Sequence, residues 1–115
     1  MDICFADSKL GKECNDARRL VKRHGQIRAD KLQSRLSVLR EAKALSDLGV
    51  PYTGPHRCHE LHGTRAGHFS VDLDHPYRLI FKPINDPLPM REQGGGLDWK
   101  RITAIEILGI EDTHE

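Results

Sequence analysis

The chain has 115 residues, 37% hydrophobic and 30% charged, with a net charge of only +1, which fits one soluble domain, 1–115, with a single core. No run of 18 apolar residues occurs, which excludes a membrane-spanning helix. The three cysteines Cys4, Cys14 and Cys58 are odd in number and widely spaced, and the start lacks the basic-then-apolar order of a secretory signal; a reducing cytoplasm is the expected setting.

Residues 2–6, DICFA, alternate weakly and suggest a first strand. From Asp7 a helical period takes over, with Leu10, Cys14, Ala17 and Val21 on one face. Asp7 or Ser8 can cap this helix and Gly25 can end it. Its densest basic stretch, RRLVKRHG, belongs to a half of the chain with 11 Lys/Arg against 7 Asp/Glu in residues 1–48; residues 49–115 carry 7 against 10. Such a run is either a solvated helix face or a patch for an anionic partner such as RNA.

A second helix follows, with Leu32, Leu36, Leu39, Leu45 and Leu48 on its apolar face and Gly49 and Pro51 as stops. Two helices so closely joined should form an antiparallel hairpin. After Pro55 the period becomes two. HRCHELH, between Pro55 and Gly63, reads as a strand. GHFSVDLD alternates through Phe69, Val71 and Leu73, and YRLIFKP through Tyr77, Leu79 and Phe81. RITAIEILGI reads as a largely buried strand. The segment 84–101 is a long connection with Trp99, Pro87 and Pro89. It is a candidate docking surface, or Trp99 simply packs it onto the core. Helices followed by strands indicate an α+β fold: an N-terminal strand and a helical hairpin packed on an antiparallel β-sheet.

HRCHELHGTRAGH holds four of the seven histidines. Three-residue intervals among His56, His59 and His62 invite a metal site, and Cys58 adds to the temptation. On a strand, side chains three apart face opposite ways, and His56 and His62 lie roughly 20 Å apart at about 3.3 Å per residue. No three of these reach one zinc ion at about 2 Å, so neither metal nor cofactor is expected. General acid–base chemistry remains, because histidine titrates near neutral pH.

The segment CHELHGTRAGHFSVDLDHPYRLIFKPIN resembles the central signature of HigB-type toxins of the RelE/ParE superfamily, and AIEILGIEDTHE resembles their terminal strand, whose end commonly reads Asp-Tyr-His. The resemblance spans essentially the whole chain. It implies a RelE-like fold and the toxin of a type II toxin–antitoxin system, a ribosome-dependent, metal-independent mRNA endonuclease. It further implies a cognate HigA-like helix-turn-helix antitoxin as partner, the ribosomal A site and mRNA as targets, and operator DNA only through the antitoxin. By resemblance, His59, Asp112 and His114 are catalytic. Arg65, Arg78, His62 and Thr113 face the RNA or its phosphates. Thr113 stands where the family usually has tyrosine, and His62 where many relatives carry lysine. Read without the resemblance, Arg65 is a turn residue, Arg78 a cross-strand partner of Asp72 or Asp74, and EDTHE a polar tail. His56 and His68 are bystanders. Two alternatives stay open: a ParE-like gyrase-binding toxin without nuclease activity, and a catalytically weak relative that binds antitoxin or nucleic acid. Convergence of Asp112, His114 and His59 would require the last strand to lie near HRCHELH.

Overall fold

A computed structural model describes residues 1–112. Its elements are β1 (Asp2–Phe5), α1 (Ser8–Cys14), α2 (Ala17–His24), α3 (Gln26–Glu41), β2 (His59–Glu60), β3 (Phe69–Asp72), β4 (Tyr77–Pro83) and β5 (Ala104–Asp112), with 3-10 turns at Leu45–Leu48, Gly63–Arg65 and Trp99–Arg101. None of its helices is long and apolar enough to cross a membrane. The expected helix from Asp7 to Gly25 is two helices. Asp7 caps α1 through Lys9 N–H (2.9 Å), but Asp16 then accepts from Arg18 and Arg19 N–H (3.1 and 3.3 Å) and starts a second helix. A short aspartate thus captures backbone donors that a continuous helix would have used. RRLVKRHG lies on α2, where Leu20 is buried and Arg18, Arg19, Lys22 and Arg23 are exposed.

The next helix is also shorter than its leucines suggest. α3 ends at Glu41, and Leu45 and Leu48 are buried instead by the following 3-10 turn, whose Asp47 carboxylate accepts from Lys43 N–H at 2.8 Å. Apolar spacing reports burial, and here two different elements bury one series of leucines.

The sheet order is β1-β5-β4-β3-β2. β2, β3, β4 and β5 pair antiparallel, as expected for the sheet, while β1 pairs parallel to β5. The three helices supply the crossover that a parallel pair requires. Phe69, Val71, Leu79, Phe81, Ile105 and Ile107 form one core with Leu20, Leu32, Leu36 and Leu39 of the helices. Phe69 stacks on Phe81 (centroids 5.7 Å) and meets Trp99 in a T-shaped contact (5.2 Å). Trp99 therefore packs the long connection onto the core, the second of its two expected roles.

β5 carries a bulge opposite Ile80 and Phe81. Ile107 pairs with Phe81 and Ile110 with Leu79, so two residues three apart both take the core side. Gly109, at φ 156, supplies the backbone that makes this possible. The side-chain parity of β5 therefore reverses beyond it: Glu106 pairs with Lys82 and Glu111 with Arg78 on the face away from the helices, whereas Asp112 pairs with Tyr77.

Candidate active site

Only His59 and Glu60 of HRCHELH form a strand. The preceding residues turn tightly: Tyr52 and Arg57 have φ of 65° and 46°, the two positive-φ non-glycine residues among those described. Such conformations cost about 1–3 kcal/mol each and persist where surrounding contacts enforce them. Tyr52 N–H donates to the Cys58 carbonyl (3.1 Å), and Asp72 N–H to that of His56 (2.7 Å). Arg35, buried at the middle of α3, donates to the carbonyls of Asp72 (2.7 Å) and Pro55 (3.2 Å). The helix layer thereby fixes the loop that leads to His59.

His59 is 5% exposed. Its ring lies against Tyr52, with centroids 4.1 Å apart and planes at 16°. Nδ1 is 2.9 Å from the Arg57 carbonyl, and Nε2 is 3.4 Å from Ser70 Oγ. A carbonyl only accepts, so Nδ1 carries the proton and Nε2 of the neutral ring is the acceptor. The Ser70 contact is long for a hydroxyl hydrogen bond, which leaves the Nε2 lone pair weakly engaged. Ser70 itself is fully buried across the strand pair and is no nucleophile for an external substrate.

His59, Glu60 and His62 line a cleft of about 470 Å³ whose opposite wall is formed by Trp99, Arg91 and Lys100 of the β4–β5 connection. A bridge between Met90 and Leu97 and the hydrogen bond from Arg101 to the Met90 carbonyl (2.6 Å) fold that connection back. His62 is exposed here, outside any strand. The cleft thus joins two titratable rings, two cations and the carboxylates of Glu60 and Asp98, a set suited to moving protons. Among the described residues no three His, Cys, Asp or Glu side chains come together as a metal site. Burial pushes the Cys58 thiol up to about 12, so it stays protonated near neutral pH and is poor as nucleophile or ligand.

The sheet face away from the helices carries the arginines. Arg65, from the turn after β2, reaches across to β5 and holds the Glu111 carboxylate with two bonds of 2.9 and 2.7 Å; that bond, the largest influence, holds its guanidinium still further above its ordinary pKa. Arg78 pairs with Asp72 at 3.3 Å, and Arg57 approaches the same carboxylate at 3.5 Å. On the helix side, Arg28 of α3 takes Asp74 (3.1 Å) and lies over the Tyr77 ring. Of the two cross-strand partners expected for Arg78, Asp72 is the one that forms.

The structure therefore brings His59 and His62 to one cleft and sets Arg65 and Arg78 on the adjoining face. Arg57 links the two, with its carbonyl on His59 and its guanidinium 5.8 Å from the Tyr52 ring centre and 3.5 Å from Asp72. β5 does not lie beside β2. Two strands intervene, so Asp112 is separated from His59 by three strand spacings, about 14 Å. Asp112 also lies at the end of β5 on the side of Tyr77, while Glu111 takes the face of Arg78. Thr113 and His114 lie outside the described residues. His56 sits in the loop with Nδ1 buried and without a hydrogen-bond partner; burial, and then the charge of Arg35, lower its pKa. Reading the sequence missed Tyr52, Arg57, Arg91 and Lys100. Left-handed backbone at Tyr52 and Arg57 leaves no compositional trace, and Arg91 and Lys100 reach the cleft only through folding of the 84–101 connection.

No protein-family model and no curated protein sequence matches this chain. Solved structures do. A YoeB/ParE toxin from Agrobacterium tumefaciens superposes with TM-score 0.55 at 12% identity, covering 99% of this chain and 100% of that one. The YoeB dimer from Staphylococcus aureus gives 0.55 at 15% identity, and the YoeB-YefM complex from the same organism 0.55 at 13%, each covering 100% of this chain and 98% of the other. At such identities the likeness is one of fold.

Proposed function

We propose that this chain is the toxin of a toxin–antitoxin pair, of the HigB type, and that it cuts messenger RNA on the ribosome by metal-independent acid–base catalysis. The observation that carries the reading is the cleft in which His59, held in one tautomer with Nε2 as acceptor, shares a wall with His62 and faces Arg91 and Lys100. The likeness of fold to toxins, one of them in complex with YefM, supports it. In the reaction a base takes the proton of the ribose 2′-hydroxyl and that oxygen attacks phosphorus. The bond to the 5′-oxygen then breaks, and an acid protonates the departing oxygen. Nε2 of His59 exchanges its long contact with Ser70 for the substrate proton. Cations beside the cleft carry the charge that develops on the phosphate. Arg65 and Arg78 hold the RNA backbone further along the same side of the molecule, each leaving a carboxylate of its own chain to do so.

The parts assigned to Asp112 and His114 in catalysis, and to Thr113 and His62 in holding substrate, belong to this proposal through the family resemblance, as do the helix-turn-helix antitoxin and the ribosomal A site as partners. Expression of the wild-type chain should arrest growth, and His59→Ala and Asp112→Ala should each relieve the arrest while circular dichroism stays native. Undiminished arrest with both substitutions would remove the acid–base assignment.

A second reading, a catalytically weak relative that binds antitoxin or nucleic acid, is favoured by one feature: Arg65 and Arg78 are already matched to Glu111 and Asp72. On that reading wild-type expression is harmless and Thr113→Tyr restores toxicity.

A further inference from the structure

The turn before β2 contains two glycines in left-handed backbone, Gly49 and Gly54, yet places a tyrosine in the same region between them, at φ 65. Glycine meets that requirement without a Cβ, so the turn alone does not call for an aromatic residue. The tyrosine ring lies parallel to the imidazole of His59 at 4.1 Å, is 48% exposed, and lines the cleft. Arg57, the other strained residue, bears on the same imidazole through its carbonyl, 2.9 Å from Nδ1. Both departures from ordinary backbone thus serve a single side chain, one fixing the plane of the ring and the other its rotation within that plane. Strain concentrated around one group marks a geometry that function requires.

We propose that Tyr52 is a positioning residue for His59. Its ring holds the imidazole plane so that Nδ1 remains on the Arg57 carbonyl and Nε2 beside Ser70 Oγ. The role belongs to the ring and not to the phenol oxygen. The inference rests on the acid–base reading of His59 given above, and it deepens that reading by naming what aims the group. It also gives the site an aromatic residue from outside the C-terminal triplet, where Thr113 stands in place of the family's tyrosine.

The test uses the full chain with Tyr52→Ala and Tyr52→Phe, assayed for mRNA cleavage on ribosomes at saturating and limiting protein, beside NMR of the His59 ring protons. Tyr52→Ala should lower the maximal cleavage rate by about 10²-fold, the cost of a misplaced catalytic group, with the half-saturating concentration little changed. Tyr52→Phe should restore cleavage to within about threefold, because stacking does not need the hydroxyl. The His59 ring protons should be shifted upfield by the neighbouring ring in the wild type and in Tyr52→Phe, and lose that shift in Tyr52→Ala. The proposal is overturned if Tyr52→Phe is as impaired as Tyr52→Ala, if the loss lies wholly in half-saturation, if Tyr52→Ala cleaves at the wild-type rate, or if the His59 resonances do not move. His59→Ala is the control. Full cleavage by that variant defeats the acid–base reading, while the NMR comparison still decides whether Tyr52 positions the ring.

Discussion

Around His59 the chain strains its backbone at Tyr52 and Arg57 to hold one imidazole ring. On the adjoining sheet face Arg65, Arg78 and Lys82 each meet a carboxylate: Glu111, Asp72 and Glu106. The first arrangement costs free energy locally and is sustained by Arg35, the Asp72–His56 backbone bond and the helix layer beneath. The second forms with little cost and breaks with little cost, since half-exposed ion pairs are worth about 0–1 kcal/mol. Under the proposed RNA cleavage, the contrast separates two requirements. A proton-transfer group must be aimed, whereas a phosphate-holding group must be free to change partners.

The largest expected effect breaks the aimed side. His59→Ala should reduce cleavage by about 10²–10⁴-fold, the usual worth of a positioned acid–base group. It should also cost about 1–3 kcal/mol of stability, since it empties a buried, hydrogen-bonded site. Cleavage assays and urea denaturation measure the two losses separately.

On the exchangeable side, Glu111→Gln releases Arg65 from its bidentate partner. RNA binding followed by fluorescence anisotropy should tighten by roughly 3–10-fold and show a steeper dependence on salt, as another cation becomes available to a phosphate. Stability should fall by no more than about 1 kcal/mol, because both side chains of the pair are near 40% exposed. Unchanged affinity would mean that Arg65 is a structural clasp.

Position 52 distinguishes strain from stacking. Tyr52→Gly and Tyr52→Ala both lose the ring, but only glycine relieves the left-handed backbone. The glycine variant should be the more stable of the two by about 1 kcal/mol in urea. Equal stabilities would mean that the loop relaxes when the ring is removed.

The smallest expected effect concerns His56, in the same strained loop. Its folded pKa lies below the ordinary 6.5, owing to burial and then to Arg35. The unfolded chain therefore binds the proton more readily. Stability is complete above about 6.5 and falls as pH drops through the folded value. The melting temperature should decline between roughly pH 7 and 5, and His56→Gln should flatten that decline. A slope unaltered by the substitution would place the titration elsewhere.

Local pattern made much of the fold legible. Phe69, Val71 and Leu73, and then Leu79 and Phe81, alternate because one face meets the helices, and β3 and β4 follow from that directly. Composition marked β5, and Asp7 and Gly25 marked helix ends. Non-local and backbone effects were hidden. Asp16 interrupts a helical period that continues across it. The parallel pairing of β1 with β5 depends on a crossover. The bulge at Gly109 is one residue of extra backbone, yet it moves Glu111 to the arginine face and Asp112 to the other. Within the site, His59 stood out through the resemblance of its segment to a toxin signature, not through its spacing. Tyr52 did not, because PYTGP reads only as a turn.

The central claim is that His59 performs proton transfer on ribosome-bound mRNA. Mapping mRNA 5′ ends after expression of the wild-type chain and of His59→Ala, with and without active ribosomes, tests it most directly. The account predicts new 5′ ends only for the wild type and only with active ribosomes. The same ends from His59→Ala, or none from the wild type, would contradict it.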